Sequence, residues 1–580
     1  MKATRSNFLS VFAVLATSVS SAVPCSVPLN GLWDFHLEAD KSLEETTMPA
    51  FQADDRMLVP GCWDVATKYF NRRGTGCYRR TFDLAEDAAN AFLVVEGCAL
   101  RARFWLDGRE IGFSKLPWSR LEFPTGALKA GRHELVAALD SVVDNEKVKL
   151  FWNFYDFYAH GGFYHGVKLE LLSSEQEVRK VAVRTRDYRT GRIELEAIYA
   201  FDGPADFTAA VSFDGKPAQE VSFRNRRAEL TVPDFKLWSS EHPNLHTVAL
   251  STPNSQLSTR FGIRQVSTEK GRILLNGEPI YLKGVNRHES HVEFGSATPK
   301  QLMYEDLMNV RDLGGNFVRG AHYPQCEEFL DLCDELGILV WEESLGWGNT
   351  EVQLKNPEFC ALQEEQTRMM VRASINHPSI IISGFLNEPT SELECCKALV
   401  DRLVDVVHAE DSGHLVTFAC HRYLADISND KTDIVAYNVY PCTQWAWPFK
   451  TGSAEEMRTN VRTAHAEIVK YFRGKYGKDK PIIVSETGTH ADYGARDPQG
   501  RAQLTEDYQE EFERVSLEEV FANPEIAGVA LWQQNDSKTY VRNFRAQSRE
   551  YGINTGGIYD LYRRPKLAVE SVRRLFRAKK

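Results

Sequence analysis

The sequence lacks the features that mark several common protein classes. None of its 11 cysteines forms a Cys-x-x-Cys pair, so no zinc-binding or dithiol redox spacing is present. Beyond the N-terminal leader, no run approaches the ~20 apolar residues of a membrane-spanning helix. Positive charge is not in excess: 69 Lys and Arg stand against 80 Asp and Glu, a net charge of −11. Nucleic acid is therefore not expected as a partner.

The one long apolar run stands at the N-terminus. Lys2 and Arg5 precede the apolar stretch FLSVFAVLATSV, and a small-residue cleavage site ends at Ala22. This order is typical of a secretory signal peptide. We therefore predict that residues 1–22 are removed and that the protein is exported to the periplasm or the extracellular space.

Three questions about the exported protein stay open at this stage. Pro24 stands where a lipoprotein signal ending at Cys25 would need a small residue, so a soluble mature protein is favoured over a lipoprotein. A disulfide among Cys62, Cys77 and Cys98 is compatible with export, but the sequence does not pair them. The sequence also does not decide between a monomer and a homo-oligomer.

The first half of the chain reads as short strands. Segments such as AFLVVEG, ARFWLDG and HELVAALD are separated by turn signals such as Asp107–Gly108, a pattern typical of an antiparallel sandwich. A second strand-rich block of about 90 residues follows, the size of an immunoglobulin-like domain. We predict a β-sandwich over 23–174 and an immunoglobulin-like sandwich over 175–264.

After Arg264, apolar runs alternate with helical patterns. The eight runs are IYLKGVN (280–286), NFVR (316–319), GILVWEE (337–343), SIIISGFLNE (379–388), HLVTFAC (414–420), DIVAYNVY (433–440), PIIVSE (481–486) and IAGVALW (526–532). About eight helical segments accompany them. This alternation predicts a (β/α)8 TIM barrel over 265–580. A doubly wound open sheet is the alternative, but no Gly-rich phosphate turn follows the first run.

Polar residues follow several of these runs directly, and strand C-termini form the active-site end of such a barrel. They include Asn286 to Glu289, Arg319, His322, Glu342, Glu343, Glu388, Tyr440, Glu486 and Trp532. Glu388 and Glu486 suit glycosidic cleavage, in which one carboxyl protonates the leaving oxygen and the other attacks the anomeric carbon. Retention of configuration would place the two carboxyls about 5 Å apart.

Several long segments resemble glycoside hydrolase family 2, which includes β-galactosidases, β-glucuronidases and β-mannosidases. The segments are NFVRGAHYP with DELGILVWEE (334–343), INHPSIIISGFLNEP (375–389) and PIIVSETG, while NGLWDF, VPGCWD and CYRRTFDL resemble the family's N-terminal domain. The resemblance covers essentially the whole mature chain. It implies a galactose-binding-like jelly-roll sandwich, an immunoglobulin-like sandwich and a TIM barrel, and a retaining exo-β-glycosidase acting by double displacement on oligosaccharides or glycosides.

Position by position, the resemblance implies that Glu388 is the general acid/base and Glu486 the nucleophile. Five more positions match sugar- or nucleophile-contacting residues: Asn387 at the 2-hydroxyl, Tyr440 at the nucleophile, His322 and Trp532 at the sugar, and Asp156 reaching in from the sandwich domain. We expect no required cofactor and no metal ligand, and leave an accessory cation undecided. Both Glu residues are present, which disfavours a non-catalytic carbohydrate-binding relative, and no compact ligand set supports a metal-dependent hydrolase.

Two departures from the family pattern bear on the substrate. Ser383 replaces a usual Trp, so we expect altered packing near the acid/base. In YGINTGGIYD (551–560), Asn554 is kept but Gly556 replaces the Lys that pairs with the sugar carboxylate in β-glucuronidases. We therefore predict a neutral sugar, most simply a β-galactoside, with β-glucuronidase and β-mannosidase as alternatives. Nearby arginines at 542, 545 and 549 offer substitute cations.

Overall fold

A computed structural model of the chain describes residues 25–43, 53–152, 155–410, 412–443, 453–540 and 552–579. The predicted signal peptide and the candidate cations Arg542, Arg545 and Arg549 lie outside these residues, so the statements about them stay predictions. Among the described helices, none is both long and apolar enough to cross a membrane.

The N-terminal part is a β-sandwich. Its strands are β1 (Cys25–Pro28), β2 (Gly31–Ala39), β3 (Asp55–Val59), β4 (Gly61–Cys62), β5 (Gly74–Leu84), β6 (Asn90–Val95), β7 (Arg101–Leu106), β8 (Arg109–Ser114), β9 (Leu121–Pro124), β10 (Gly131–Asp140), β11 (Gly162–Phe163) and β12 (Val167–Leu172). A four-stranded sheet, β1-β12-β6-β9, and a six-stranded sheet, β3-β2-β5-β10-β7-β8, share one apolar core, and β11 pairs with β4. Trp33, Tyr78 and Phe163 meet in that core with ring centroids 5.1 to 6.3 Å apart.

A smaller sandwich follows with a core of its own. Its strands are β13 (Val178–Asp187), β14 (Arg192–Tyr199), β15 (Phe207–Phe213), β16 (Gln219–Phe223), β17 (Arg227–Thr231), β18 (His246–Thr252) and β19 (Ser255–Phe261). They form the sheets β13-β14-β17 and β16-β15-β18-β19. Ala209, Val211 and Phe213 alternate inward along β15, the period expected of a half-buried strand. A three-stranded sheet, β20 (Val266–Glu269), β21 (Arg272–Leu275) and β22 (Glu278–Ile280), leads into the next domain.

The C-terminal part is a closed barrel of eight parallel strands. In chain order its elements are β23 (Leu282–Arg287), α1 (Lys300–Leu313), β24 (Phe317–Gly320), α2 (Glu327–Leu336), β25 (Leu339–Trp347), α3 (Glu351–Leu354), α4 (Pro357–Ser374), β26 (Ile380–Asn387), α5 (Glu394–Ala409), β27 (Leu415–Cys420), β28 (Val435–Asn438), α6 (Ala454–Tyr476), β29 (Ile482–Thr487), α7 (Glu506–Ala522), β30 (Ile526–Leu531) and α8 (Ala568–Ala578). A short pair, β31 (Ser537–Lys538) and β32 (Ile553–Asn554), lies after β30. The predicted multidomain fold with a TIM barrel is confirmed.

Local signals define several of these elements. Asn356 caps α4 by accepting hydrogen bonds from the N–H groups of Glu358 and Phe359, and Pro357 occupies the first helical position. Gly314 ends α1 in a left-handed conformation at φ 82°. The described chain between β27 and β28 contains no helix, whereas two helices, α3 and α4, separate β25 from β26.

The N-terminal sandwich packs against the barrel through a continuous apolar core. Trp118 of the sandwich stacks on Tyr323 of the barrel at 4.5 Å and 11°, and the Gln366 side-chain amide donates to the Pro117 carbonyl at 2.8 Å. This contact brings a sandwich loop to the C-terminal end of the barrel. The described cysteines Cys62 and Cys98 are buried in the sandwich and unpaired, as is Cys77.

Candidate active site

Glu388 and Glu486 open onto one end of the barrel. Glu388 follows the last residue of β26, and Glu486 is the penultimate residue of β29. Glu388 adopts φ 53°, a left-handed conformation that is unfavourable for a side chain, and its N–H donates to the Ala419 carbonyl of the neighbouring strand at 2.9 Å. The two carboxyls are close enough for the charge on Glu388 to raise the pKa of Glu486.

Both carboxylate oxygens of Glu486 accept hydrogen bonds. Arg319 Nη1 donates to Oε1 at 2.6 Å, and the Tyr440 hydroxyl donates to Oε2. Burial raises the pKa of Glu486 to about 8, while Arg319 and Tyr440 act in the opposite direction. The two donors therefore stabilise the ionised form of a carboxyl that is otherwise shielded from water.

Arg319 connects the barrel interior to the site. This fully buried side chain forms a bidentate ion pair with Glu343. It also donates hydrogen bonds to Asn286 Oδ1 and Asn387 Oδ1, both at 2.9 Å. Burial lowers the pKa of Arg319, but Glu343 and Glu486 raise it above its ordinary value. The guanidinium therefore stays charged, and its planar donors fix the positions of both Glu486 and Asn387.

The Asn387 amide is oriented by its neighbours and keeps donors to spare. Its Oδ1 accepts from Arg319 and from Asn438 Nδ2, the latter at 3.1 Å. Asn438 Nδ2 also donates to Glu388 Oε1 at 3.0 Å, and Asn438 is itself held by the Ser485 hydroxyl at 2.7 Å. The buried Asn387 Nδ2 has no hydrogen-bond partner in the described part of the chain. Because a buried amide donor is seldom left unpaired, this atom is available for a ligand hydroxyl.

His322, His288 and Trp532 form one wall of the pocket. His322 stacks on Trp532 at 5.4 Å and 13°, and His288 meets Trp532 edge-on at 5.3 Å. Burial lowers the pKa of His322 well below its ordinary value, and the Arg319 charge lowers it further. We assign the proton of this neutral ring to Nδ1, which lies 3.0 Å from Glu343 Oε2. His322 Nε2, 3.9 Å from Glu486 Oε1, is then an acceptor, and it has no partner among the described residues.

Asp156 reaches the barrel from the sandwich domain. Its Oδ1 accepts from the Thr539 hydroxyl at 3.2 Å, and the neighbouring Phe157 ring stacks on His288 at 5.1 Å. Burial lowers the pKa of both His288 and His322, and the negative charge of Asp156 acts in the opposite direction. Asp156 therefore lies close to the two imidazoles that border the pocket.

Gly556 and Asn554 border the same pocket beside Trp532. A Cβ atom added to Gly556 would lie 3.3 Å from Trp532 Cδ1 and 3.3 Å from His490 Cε1. Asn554 Oδ1 accepts from the Gly556 N–H at 3.1 Å, while its buried Nδ2 has no partner in the ranges that the structure describes. Even a Cβ atom at position 556 would therefore be crowded by its neighbours, and an unused amide donor lies beside it.

Ser383, the residue expected to alter the packing near the acid/base, has its side chain against a buried histidine. The Ser383 hydroxyl lies 2.9 Å from Nδ1 of His414, which precedes β27 at the N-terminal end of the barrel. Four residues of β26 separate Ser383 from Glu388, and one of them, Leu386, adopts a left-handed conformation at φ 51°. The small residue therefore makes room for a buried histidine away from the pocket.

The structure brings all seven predicted site residues to one mouth and adds partners without a predicted role. Arg319, Glu343 and His288 were already among the polar residues that directly follow the barrel strands, so the sequence placed them at the active-site end without giving them a role. Asn438 lies inside an apolar run, so no feature of the sequence indicated that it belongs to the site. Two groups of metal-ligating side chains lie close together within the described ranges, but neither includes Glu388 or Glu486.

Comparisons with known proteins agree with this geometry. The family model described as "Glycosyl hydrolases family 2, TIM barrel domain" matches residues 266–579, more than half of the chain, and the model "Glycosyl hydrolases family 2" matches 172–264. A solved β-galacturonidase of this family from Eisenbergiella tayi, bound to galacturonate, is similar with a TM-score of 0.84 and 29% identity. The match covers 96% of this chain and 97% of that chain.

Curated relatives carry two activities in their names. A β-glucuronidase from Mus musculus is 28% identical over 346 residues, 57% of this chain and 51% of its own length. A β-galactosidase from Lactococcus lactis subsp. lactis is 26% identical over 503 residues, 79% of this chain and 47% of its own length. The chain thus spans about half the length of the curated relatives it matches.

Proposed function

The chain belongs to glycosyl hydrolases family 2, and we propose that it is a retaining exo-β-glycosidase with Glu486 as nucleophile and Glu388 as acid/base. The observation that carries this proposal is the pairing of two carboxyls at one barrel mouth in unequal surroundings. Glu486 is enclosed by Arg319 and Tyr440, whereas Glu388 keeps a partly exposed side chain.

The reaction runs in two displacements. In the first, Glu388 gives its proton to the glycosidic oxygen while a Glu486 oxygen bonds to the anomeric carbon, and the leaving alcohol departs. In the second, Glu388 takes a proton from water, the water oxygen bonds to the anomeric carbon, and Glu486 is released as a carboxylate. Each step inverts the anomeric centre, so the product retains the β configuration.

The surrounding residues position the sugar for this chemistry. Asn387 Nδ2 donates to the 2-hydroxyl, a contact that strengthens as charge develops at the anomeric carbon. His322 Nε2 accepts from a ring hydroxyl, and Trp532 stacks against the sugar face. Arg319 and Tyr440 favour the ionised form of Glu486 and fix the orientation of its carboxylate, so that little reorganisation is needed in the transition state.

For the sugar itself we favour a terminal β-linked hexuronic acid over the β-galactoside predicted from Gly556. The support is the similarity to a β-galacturonidase over nearly the full length of both chains, together with the curated β-glucuronidases. The unpartnered Asn554 Nδ2 offers the carboxylate a donor beside Trp532. β-Galactosidase remains the second candidate, because Gly556 removes the cation that would neutralise a uronate.

A substrate panel tests both levels of this proposal. The panel contains the 4-nitrophenyl β-glucuronide, galacturonide, galactoside, mannoside, glucoside and fucoside. We expect the glucuronide or the galacturonide to have the highest kcat/KM.

Asn554→Asp keeps the acceptor for the Gly556 N–H but adds a negative charge. It should lower uronide turnover about 10- to 100-fold while changing galactoside turnover little. Preferred turnover of the galactoside would replace the uronide assignment, and turnover of no glycoside would overturn the enzyme proposal.

Tyr440→Phe should move the acidic limb of the kcat/KM profile to higher pH by about one unit. Burial already raises the pKa of Glu486 above its ordinary value, and the Tyr440 hydrogen bond partly counteracts this. The nucleophile works only when ionised, and the ionised fraction rises with pH, so loss of the donor shifts the limb upward. Profiles from about pH 5 to about pH 10.5 would show the shift, because the pKa of Glu486 already lies at about 8. Coincident acidic limbs for both proteins would contradict this role of Tyr440.

A further inference from the structure

A buried group of three metal-ligating side chains joins the sandwich to the barrel. His165 comes from the sandwich, Glu289 from the segment after β23, and Cys326 from the residue before α2. His165 Nε2 lies 3.0 Å from Glu289 Oε2, and one ligand atom from each of the three residues falls within 4.8 Å of the others. All three side chains are buried. No sequence motif indicates the group, because its members are far apart in the chain.

We propose that His165, Glu289 and Cys326 bind one Zn²⁺ ion. Imidazole nitrogen, thiolate sulfur and carboxylate oxygen together form a donor set that suits this borderline-soft cation. Thr298 donates to the other carboxylate oxygen of Glu289 at 2.8 Å, the kind of outer contact that orients a metal ligand. The Cys326 sulfur has the Met303 sulfur as a weak neighbour at 4.0 Å.

The second group of close ligating residues has a different character. It contains Asp331, Asp334 and His377, has no sulfur donor, and is only partly buried. Its carboxylates are already engaged: Asp331 with Arg260, and Asp334 with His377 and the Ser379 N–H. The His165 group is therefore the stronger candidate for a metal.

The position of the proposed ion gives it a structural role. Glu289 directly follows His288, which borders the pocket, and His165 belongs to the domain that supplies Asp156. An ion bound by all three ligands would fasten the sandwich to the barrel beside the site.

Metal analysis of the full chain, purified without chelators, tests the proposal. We expect about one zinc per chain, a Tm that falls by several degrees after removal of the metal with a chelator, and recovery with Zn²⁺ but not with Mg²⁺. Replacement by Co²⁺ should give a thiolate-to-cobalt charge-transfer absorption band. These readouts do not depend on turnover, so they stand or fall separately from the glycosidase proposal.

Two cysteine variants serve as a matched pair. Cys326→Ser should lose the zinc and the cobalt band, and it should still fold because Ser is favoured at this helix N-cap position. Cys333→Ser alters a buried cysteine within the same helix but outside the group, and should keep both signals. Substoichiometric zinc in the unaltered chain with a Tm insensitive to Zn²⁺ would overturn the proposal, leaving a plain His165–Glu289 ion pair. Retention of zinc by Cys326→Ser would also overturn it.

Discussion

Glu486→Gln should lower turnover of an aryl β-glycoside by about 10⁵-fold or more. The amide cannot form the glycosyl ester, and it replaces the charge that Arg319 Nη1 approaches to 2.6 Å. Glutamine has nearly the same shape, so the fold should survive, which circular dichroism and Tm can verify. Glu342→Gln is a matched control: this buried glutamate accepts from the Gln325 N–H rather than from a pocket residue, and its activity should stay within a few-fold of the unaltered protein.

Azide separates the nucleophile from the acid/base in the same assay. In Glu486→Ala, azide occupies the vacated space, attacks the β-glycoside directly and yields an α-glycosyl azide. In Glu388→Ala, the glycosyl ester still forms, and azide then attacks it to yield a β-glycosyl azide. The opposite pair of products would exchange the two roles, and near-normal activity of Glu486→Gln would rule out the mechanism altogether.

The barrel could be predicted from sequence because its strands are short, fully buried apolar runs separated by helices of familiar period. The ends of the strands were predicted less accurately: the third apolar run was expected to end at Glu343, whereas its strand, β25, continues to Trp347. Glu388 and Glu486 could be predicted as site residues for the same reason. A polar residue directly after a buried parallel strand has few places to lie other than the C-terminal rim of the barrel.

What sequence could not supply is the side-chain network that connects the strands. Arg319 bonds Glu343, Asn387 and Glu486 across three other strands, and no local pattern encodes such contacts. Ser383 shows another limit: sequence proximity to Glu388 did not indicate that its side chain would contact His414, the residue before β27. The His165 group likewise depends on how two domains dock.

Glu388→Gln should affect substrates according to their leaving groups. For an alkyl or a simple aryl glycoside, whose oxygen needs a proton to depart, kcat/KM should fall about 10³-fold. For a dinitrophenyl glycoside, whose leaving oxygen is a stable anion, kcat/KM should fall less than about 10-fold, since that constant reports the first displacement alone. Steady-state assays across a series of aryl leaving groups measure the difference as a steeper dependence on leaving-group pKa.

The second displacement provides an independent test of the role of Glu388. With Gln at position 388 no general base activates water, so the dinitrophenyl substrate should give a burst of one leaving group per site followed by slow turnover. Azide needs no base and should restore the steady rate. A uniform loss for all leaving groups, with neither burst nor rescue, would mean that Glu388 positions substrate instead of moving protons, and that its contact with Asn438 at 3.0 Å serves only binding.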